Sequence, residues 1–171
     1  MTDRGEAAEG GTSRPPGPPL LTSTPAVLTP MSIRPGVAVI LLEAGGRLLL
    51  HRRRVGGGWA PPSGAVEPGE AVVAALHRVI LEETALTAAV ERVVGVYSDP
   101  AYMVVAYPDG RVVHFVTTLF CCRVSGGTLA GNDEGLDWGW FSPDALPDDL
   151  TAYARVWLAD ALGGPGRIVV R

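Results

Sequence analysis

The chain of 171 residues contains no lysine; all 14 of its basic residues are arginine. A P-loop needs a lysine that reaches the phosphates, so that motif is excluded. Schiff-base and pyridoxal-phosphate chemistry are excluded for a related reason, since both need a lysine amine. Cysteine is nearly absent as well. The two copies, Cys121 and Cys122, are neighbours in an apolar run. Strand geometry sends adjacent side chains to opposite faces, which argues against a disulfide between them. No C-x-x-C zinc spacing is present. The pair reads as small buried apolar residues, and a reducing, cytoplasmic compartment fits. No apolar run approaches the length of a membrane span. The opening "MTDRGEAAEGG" is acidic where a signal peptide would be basic. No G-x-S-x-G elbow occurs, which leaves a serine hydrolase unsupported. A net charge of -4 gives no general attraction to nucleic acid. A polyanionic substrate would need local help from arginines or a metal ion.

What is present suits one domain with a core. Hydrophobic residues make up 47% and charged residues 19%, an ordinary composition for a single folded unit. Seven of the 15 prolines fall before residue 36. Residues 1–33 therefore read as a flexible Pro/Gly-rich tail, and 34–171 as the folded domain. Met31 stands at that boundary and is an alternative start of translation. Strands are expected at about Gly36–Leu42, Arg47–His51, Val93–Ser98, Met103–Tyr107, Val112–Val124 and Asp137–Phe141. Helices are expected at about Glu70–Thr84 and Asp148–Leu162. "YPDGR" is a hairpin turn, and "RRVGGGWAPPSG" is a loop. This order predicts an α/β fold, a mixed β-sheet between helices.

The first helix ends in "HRVILEETAL". At about 100° per residue, positions 79, 82 and 83 share one face. Glu82 and Glu83 thus lie on the face of Val79, and Arg78 sits one turn before Glu82. Acidic side chains near a helix C-terminus oppose the macrodipole, so stability does not explain them. The preceding loop "WAPPSGAVEPGEA" brings backbone carbonyls near those carboxylates, the kind of oxygen cluster that hard divalent cations take.

Gly64, Glu70, Arg78, Ile80, Glu82, Glu83 and Leu86 stand at the spacing G-x5-E-x7-R-E-U-x-E-E-x-G-U, with U a bulky aliphatic residue. This resembles the signature box of the Nudix hydrolases. The flanks "GGGWAPPSG" and "DEGLDWGWFSPDALP" resemble the family too, over about residues 35–165. The resemblance implies a Nudix-type α/β/α sandwich and a pyrophosphohydrolase of the MutT-like kind. It implies Mg²⁺ (or Mn²⁺), with Glu82 and Glu83 as ligands and Glu70 as an auxiliary one. Ser63 would offer a backbone carbonyl, and Arg78 would orient the carboxylates. Glu134, six residues before Trp140, would be a further ligand or the general base; Asp133 and Asp137 are alternatives. Among the arginines after the second strand, Arg52 and Arg54 are candidates for a phosphate. His51, His77 and His114 read as structural or surface residues. Trp59, Tyr97, Tyr102 and Trp138 are candidates to stack on a base.

Three positions depart from the pattern. Ser63 and Ala85 replace glycines, and Val79 replaces the first glutamate of R-E-U-x-E-E. Valine neither binds a metal nor assists a base. Two readings follow. The chain hydrolyses a diphosphate linkage in a nucleoside diphosphate derivative. Alternatively, it is a Nudix-fold nucleotide-binding or regulatory module with weak or no catalysis. No nucleic-acid or membrane partner is expected; a homodimer would be in keeping with the family.

Overall fold

Strand β1 (Ser32–Leu42) is buried on both faces through its second half, as a central strand must be. In the computed structural model of the protein, residues 29–30, 32–55, 57–164 and 166–171 are described. The expected tail therefore falls largely outside the described residues, while Ser32 and Ile33 already belong to β1.

β1 pairs in parallel with β7 (Val112–Gly127), from Ser32 opposite Val113 to Leu42 opposite Arg123. β7 pairs antiparallel with β5 (Leu86–Tyr97), and β1 with β2 (Leu48–Arg53). Short strands complete the sheet: β3 (Trp59–Ala60) and β8 (Gly135–Phe141) on β2, β4 (Ser63–Ala65) on β1, β6 (Val104–Ala106) on β7, and β9 (Val169–Val170) on β5. The path through the main strands is β3-β2-β1-β7-β5-β9. The sheet is mixed, as the sequence predicts.

Alternation along β1 and β7 divides the core in two. Val37, Val39, Leu41 and Cys122 pack with Ala75, Leu76, Val79 and Ile80 of helix α1 (Val72–Thr84). Ala38, Ile40 and Cys121 pack with Trp157, Leu158 and Ala161 of the last helix, α3 (Ala152–Leu162). Each helix thus covers one face, an α/β/α sandwich. The two cysteines are free and buried on opposite faces. Among the described residues, no helix is long and apolar enough to cross a membrane.

The main elements occur where expected with shifted ends. Helix α2 (Pro100–Met103) and the short strands β3, β4 and β9 were not foreseen. Pieces of two to four residues carry no readable periodicity, and pairing or capping by distant residues defines them. The end of α1 is more telling. Ala85 caps it with φ +57°, the sole positive φ outside glycine among the described residues. The alanine ends the helix where the family glycine would, in a conformation that penalises a Cβ. Ala85→Gly is expected to stabilise the protein by about 1 kcal/mol in denaturant unfolding. A loss of stability would show that this alanine is not strained.

Candidate functional site

A cleft of about 420 Å³ opens between the β2 end, the β4 segment, the 133–134 loop and the β6–β7 side of the sheet. Its lining falls into two chemistries. Arg53, Arg54, Ser63, Asp133 and Glu134 make a charged end, while Tyr102, Tyr107, Phe115, Tyr153 and Trp157 supply aromatic walls.

Arg78 organises the box helix. It donates Nε and Nη2 to the two Glu70 oxygens at 2.8 Å each, Nη1 to Glu82 at 3.0 Å, and Nη2 to the Ala65 carbonyl at 3.0 Å. Its hydrogen bonds hold the Glu70 carboxyl down to about 2. This clamp ties α1 to the loop that leads into it. It also occupies Glu70 and Glu82, neither of which lines the cleft.

Glu83 does not line the cleft either, but it differs from both in its burial. It is 4% exposed, and its Oε2 has no hydrogen-bond partner among the described residues. Burial, reinforced by the nearby Glu134, pushes its carboxyl up to about 8; Arg53 and the Ser63 N–H act in the opposite direction. A buried carboxylate oxygen without a partner, beside a second carboxylate, is what a divalent cation would satisfy. Among the described residues no group of three His, Cys, Asp or Glu gathers as a metal site. The residues that would hold an ion are Glu83, with its unpartnered oxygen, and Glu134, which lines the cleft where Glu83 itself does not.

Val79 is 3% exposed and belongs to the core beneath α1. It packs against Gly64, where a Cβ would lie 2.6 Å from Val79 Cγ2. The valine fills the space between the helix and the cleft wall. Ser63, expected as a carbonyl donor, shows another contact: its Oγ accepts a long 3.5 Å hydrogen bond from Arg53.

The loop carrying Glu134 is fixed from three sides. Ala130 N and Asn132 N donate to the Thr84 and Glu83 carbonyls, the free end of α1. Arg54 donates Nε to the Asp133 carbonyl at 2.7 Å and its backbone N–H to the Glu134 carbonyl. Gly131 and Gly135 close over the Trp138 indole; a Cβ at Gly135 would sit 2.5 Å from its nitrogen. Trp138 in turn stacks on His51 at 4.7 Å.

Two expectations are corrected. Arg52 is exposed and pairs with Asp149 at 3.5 Å, away from the cleft, whereas Arg53 and Arg54 line it. At this point of β2 the pairing with β8 shifts register, with Arg52 opposite Asp137 and Arg53 opposite Gly135. Of the four proposed stacking aromatics, only Tyr102 lines the cleft. Tyr97 is buried with its hydroxyl donating to Asp160, Trp59 packs on Phe141, and Trp138 lies under the glycine loop. Sequence reading missed Tyr107, Phe115, Tyr153 and Trp157. Tyr153 and Trp157, one turn apart on α3, could have been found from their i,i+4 spacing.

The family model for the NUDIX domain matches residues 32–161. The chain is 30% identical over 130 residues to a MutT-like protein of Streptomyces ambofaciens, covering 76% of this chain and 77% of that one. It is 36% identical over 119 residues to an ADP-ribose pyrophosphatase of Methanocaldococcus jannaschii, covering 67% and 66%. A solved MutT protein of Methanosarcina mazei has the same fold, with a TM-score of 0.62 at 21% identity, over 78% of this chain and 97% of that one. The chain belongs to the Nudix family and is a hydrolase of that family. Its members generally use divalent metal ions.

His51 gives the site a pH signature. It is 1% exposed, neither ring nitrogen has a partner among the described residues, and burial, aided by Arg53, lowers its pKa to about 4. The unfolded chain protonates this group at its ordinary value of about 6.5, and the folded chain resists until about 4. The unfolded state therefore binds more protons between those values, so stability falls as pH falls through that window. Relative to His51→Phe, the wild type is expected to lose up to ~1.4 kcal/mol per pH unit from about pH 6.5 to 4. Parallel stability curves in denaturant titrations would refute this.

Proposed function

We propose that the protein hydrolyses a diphosphate linkage in a nucleoside diphosphate derivative, with Mg²⁺ or Mn²⁺. One observation carries the reading: a single cleft joins an arginine and carboxylate end to an aromatic end. A nucleotide has matching parts, a charged phosphate tail and a flat base that stacks on aromatic rings. The names of the relatives, one an ADP-ribose pyrophosphatase, support a nucleotide derivative as substrate.

In this reading Glu83 and Glu134 hold the ion, and Glu134 also accepts the proton of the attacking water. The exposure of Glu134 to solvent suits that second role. A bound divalent ion supplies neutralisation of phosphate charge and a more acidic water. Arg78 keeps Glu70 and Glu82 in place around the loop. Glu82 and Glu70 remain auxiliary ligands that would have to leave Arg78 to take part. The cytoplasm is the proposed location, consistent with two unpaired cysteines.

The rival reading, a nucleotide-binding module with little catalysis, has its own support. Val79 is committed to packing, and Arg78 holds two of the box carboxylates. Incubating the protein with a panel of nucleoside diphosphate derivatives and Mg²⁺ or Mn²⁺ separates the two. Release of phosphate or a nucleoside monophosphate is expected; binding without release would favour the module.

Glu83→Gln keeps shape and removes the charge. Its affinity for Mn²⁺ in calorimetry is expected to fall at least tenfold, about 1.4 kcal/mol. Unchanged affinity would remove Glu83 from the site.

Val79→Glu restores the family carboxylate at a buried position. The variant is expected to lose roughly 1–3 kcal/mol of stability. It should bind Mn²⁺ more tightly and hydrolyse the best substrate about tenfold faster or more. A folded variant with both quantities flat would show that position 79 does not reach the ion.

A further inference from the structure

The aromatic end of the cleft is built from α3, α2 and the sheet. Thr151 caps α3, its hydroxyl accepting from Ala154 N at 3.3 Å, so the first turn of that helix is held. Tyr153 and Trp157, one turn apart on α3, line the cleft with their ring centroids 4.7 Å apart. Tyr102 of α2 lines it as well. Buried polar groups are normally satisfied within a protein. Tyr97 follows that rule, its hydroxyl donating to Asp160 at 3.0 Å. The indole N–H of Trp157 and the hydroxyl oxygens of Tyr102 and Tyr153 do not: they are buried and have no hydrogen-bond partner among the described residues. Three orphaned groups on residues of one cleft call for a ligand that satisfies them.

The orphans differ in what they offer. An indole nitrogen only donates. A tyrosine hydroxyl can donate and accept, and its surroundings choose between the two. Tyr153 lies beside Arg53, whose guanidinium has no acceptor. Its hydroxyl therefore turns its lone pairs toward the cation and its proton away. Tyr102 keeps both capacities. The cleft lining holds no Asn, Gln or His, and its carboxylates, Asp133 and Glu134, sit at the charged end. At the aromatic end no side-chain oxygen or nitrogen accepts without also being able to donate. Such a wall fits a ring rich in acceptors and poor in donors. Uracil and thymine are that kind of base, with two ring carbonyls and a single N–H on the pairing edge. Cytosine and adenine bring an amino group with two hydrogens, and guanine adds a ring N–H to its amino group. Each further N–H buried here would lack an acceptor, which weakens binding.

We propose that Trp157, Tyr153 and Tyr102 form a base-recognition subsite that selects a dicarbonyl pyrimidine, uracil or thymine, over adenine and guanine. The proposal rests on the nucleotide-derivative reading above and extends it by naming the base. Trp157 and Tyr153 donate to the two carbonyls, and Tyr102 accepts the one ring N–H. The surrounding aromatic rings supply the stacking surface. These residues set specificity and take no part in the chemistry at phosphorus.

The nucleoside monophosphates UMP, dTMP, AMP and GMP are the probes, with the full chain. They have no diphosphate linkage to cleave, so calorimetry can be run with Mn²⁺ present. The tighter of UMP and dTMP is expected to bind about tenfold or more better than AMP and GMP, and the comparison of those two identifies the preferred pyrimidine. Tyr153→Phe keeps the ring and removes the hydroxyl. It should weaken the preferred pyrimidine about fivefold or more and leave AMP and GMP within about twofold. Trp157→Phe removes the indole donor and should act in the same sense. The assignment is overturned if AMP or GMP binds as tightly as the pyrimidines, if Tyr153→Phe lowers all four affinities alike, or if none of the four binds. Should Trp157→Phe fail to fold, Tyr153→Phe and the wild-type ranking still decide the matter. A wild type that selects the pyrimidines but cleaves no nucleoside diphosphate derivative keeps the subsite and loses the hydrolase reading. One that cleaves derivatives of every base at like rates keeps the hydrolase reading and loses the subsite.

Discussion

The site depends on the Arg78 clamp. A surface ion pair is ordinarily worth little, because water screens it and two long side chains must be ordered. Arg78 escapes part of that penalty. It is partly buried, meets Glu70 in the two-pronged geometry, and adds bonds to Glu82 and to a backbone carbonyl. The carbonyl is that of Ala65, next to Gly64, so the clamp holds the glycine segment onto the helix. The cleft wall at Ser63–Ala65, the entry to α1 and the carboxylate end of α1 are thereby one connected unit. Such a network fixes geometry more than it adds stability.

The clamp has a consequence for charge. It uses two box carboxylates as partners of one arginine, and Val79 removes a third by packing on Gly64. Glu83 is then the box glutamate pressed into the interior, with an oxygen that no group among the described residues satisfies. The two facts belong together. A well-packed wall behind Gly64 excludes water from the helix face, and the same exclusion desolvates Glu83. Burial dominates the upward displacement of its pKa, and Glu134 adds to it. A carboxylate in this condition holds its proton strongly, and any cation bound there would have to displace that proton.

Much of this was legible in the sequence. The spacing from Gly64 to Leu86 is local along one loop and one helix, so helical geometry alone brings Val79, Glu82 and Glu83 together and Arg78 to Glu82. The mixed sheet between helices followed from the order of apolar runs. Other features lay beyond reach because they depend on distant pairing. The arginines that enter the cleft, Arg53 and Arg54, stand where β2 meets β8, strands more than eighty residues apart in the chain. The aromatic wall comes from α2, β6, β7 and α3, and only the fold unites them. The division of labour among the glutamates was hidden too, since adjacent residues of one type differ only in what the tertiary structure puts over them.

The end of α1 links backbone conformation to chemistry. Ala85 turns into the left-handed region, and the helix stops there. Stopping leaves the carbonyls of its last turn without helical donors. Those of Glu83 and Thr84 are taken by the N–H groups of Asn132 and Ala130. The loop held by these bonds carries Asp133 and Glu134 into the cleft, and its glycines close over Trp138. If the helix continued past residue 85, its own N–H groups would compete for those carbonyls and the loop would lose its anchor. The departure at position 85 is thus tolerated because the terminus is demanded from outside the helix. The same two hydrogen bonds set Glu134 beside Glu83, so the stop of one helix fixes the distance between the two carboxylates on which the proposed chemistry rests.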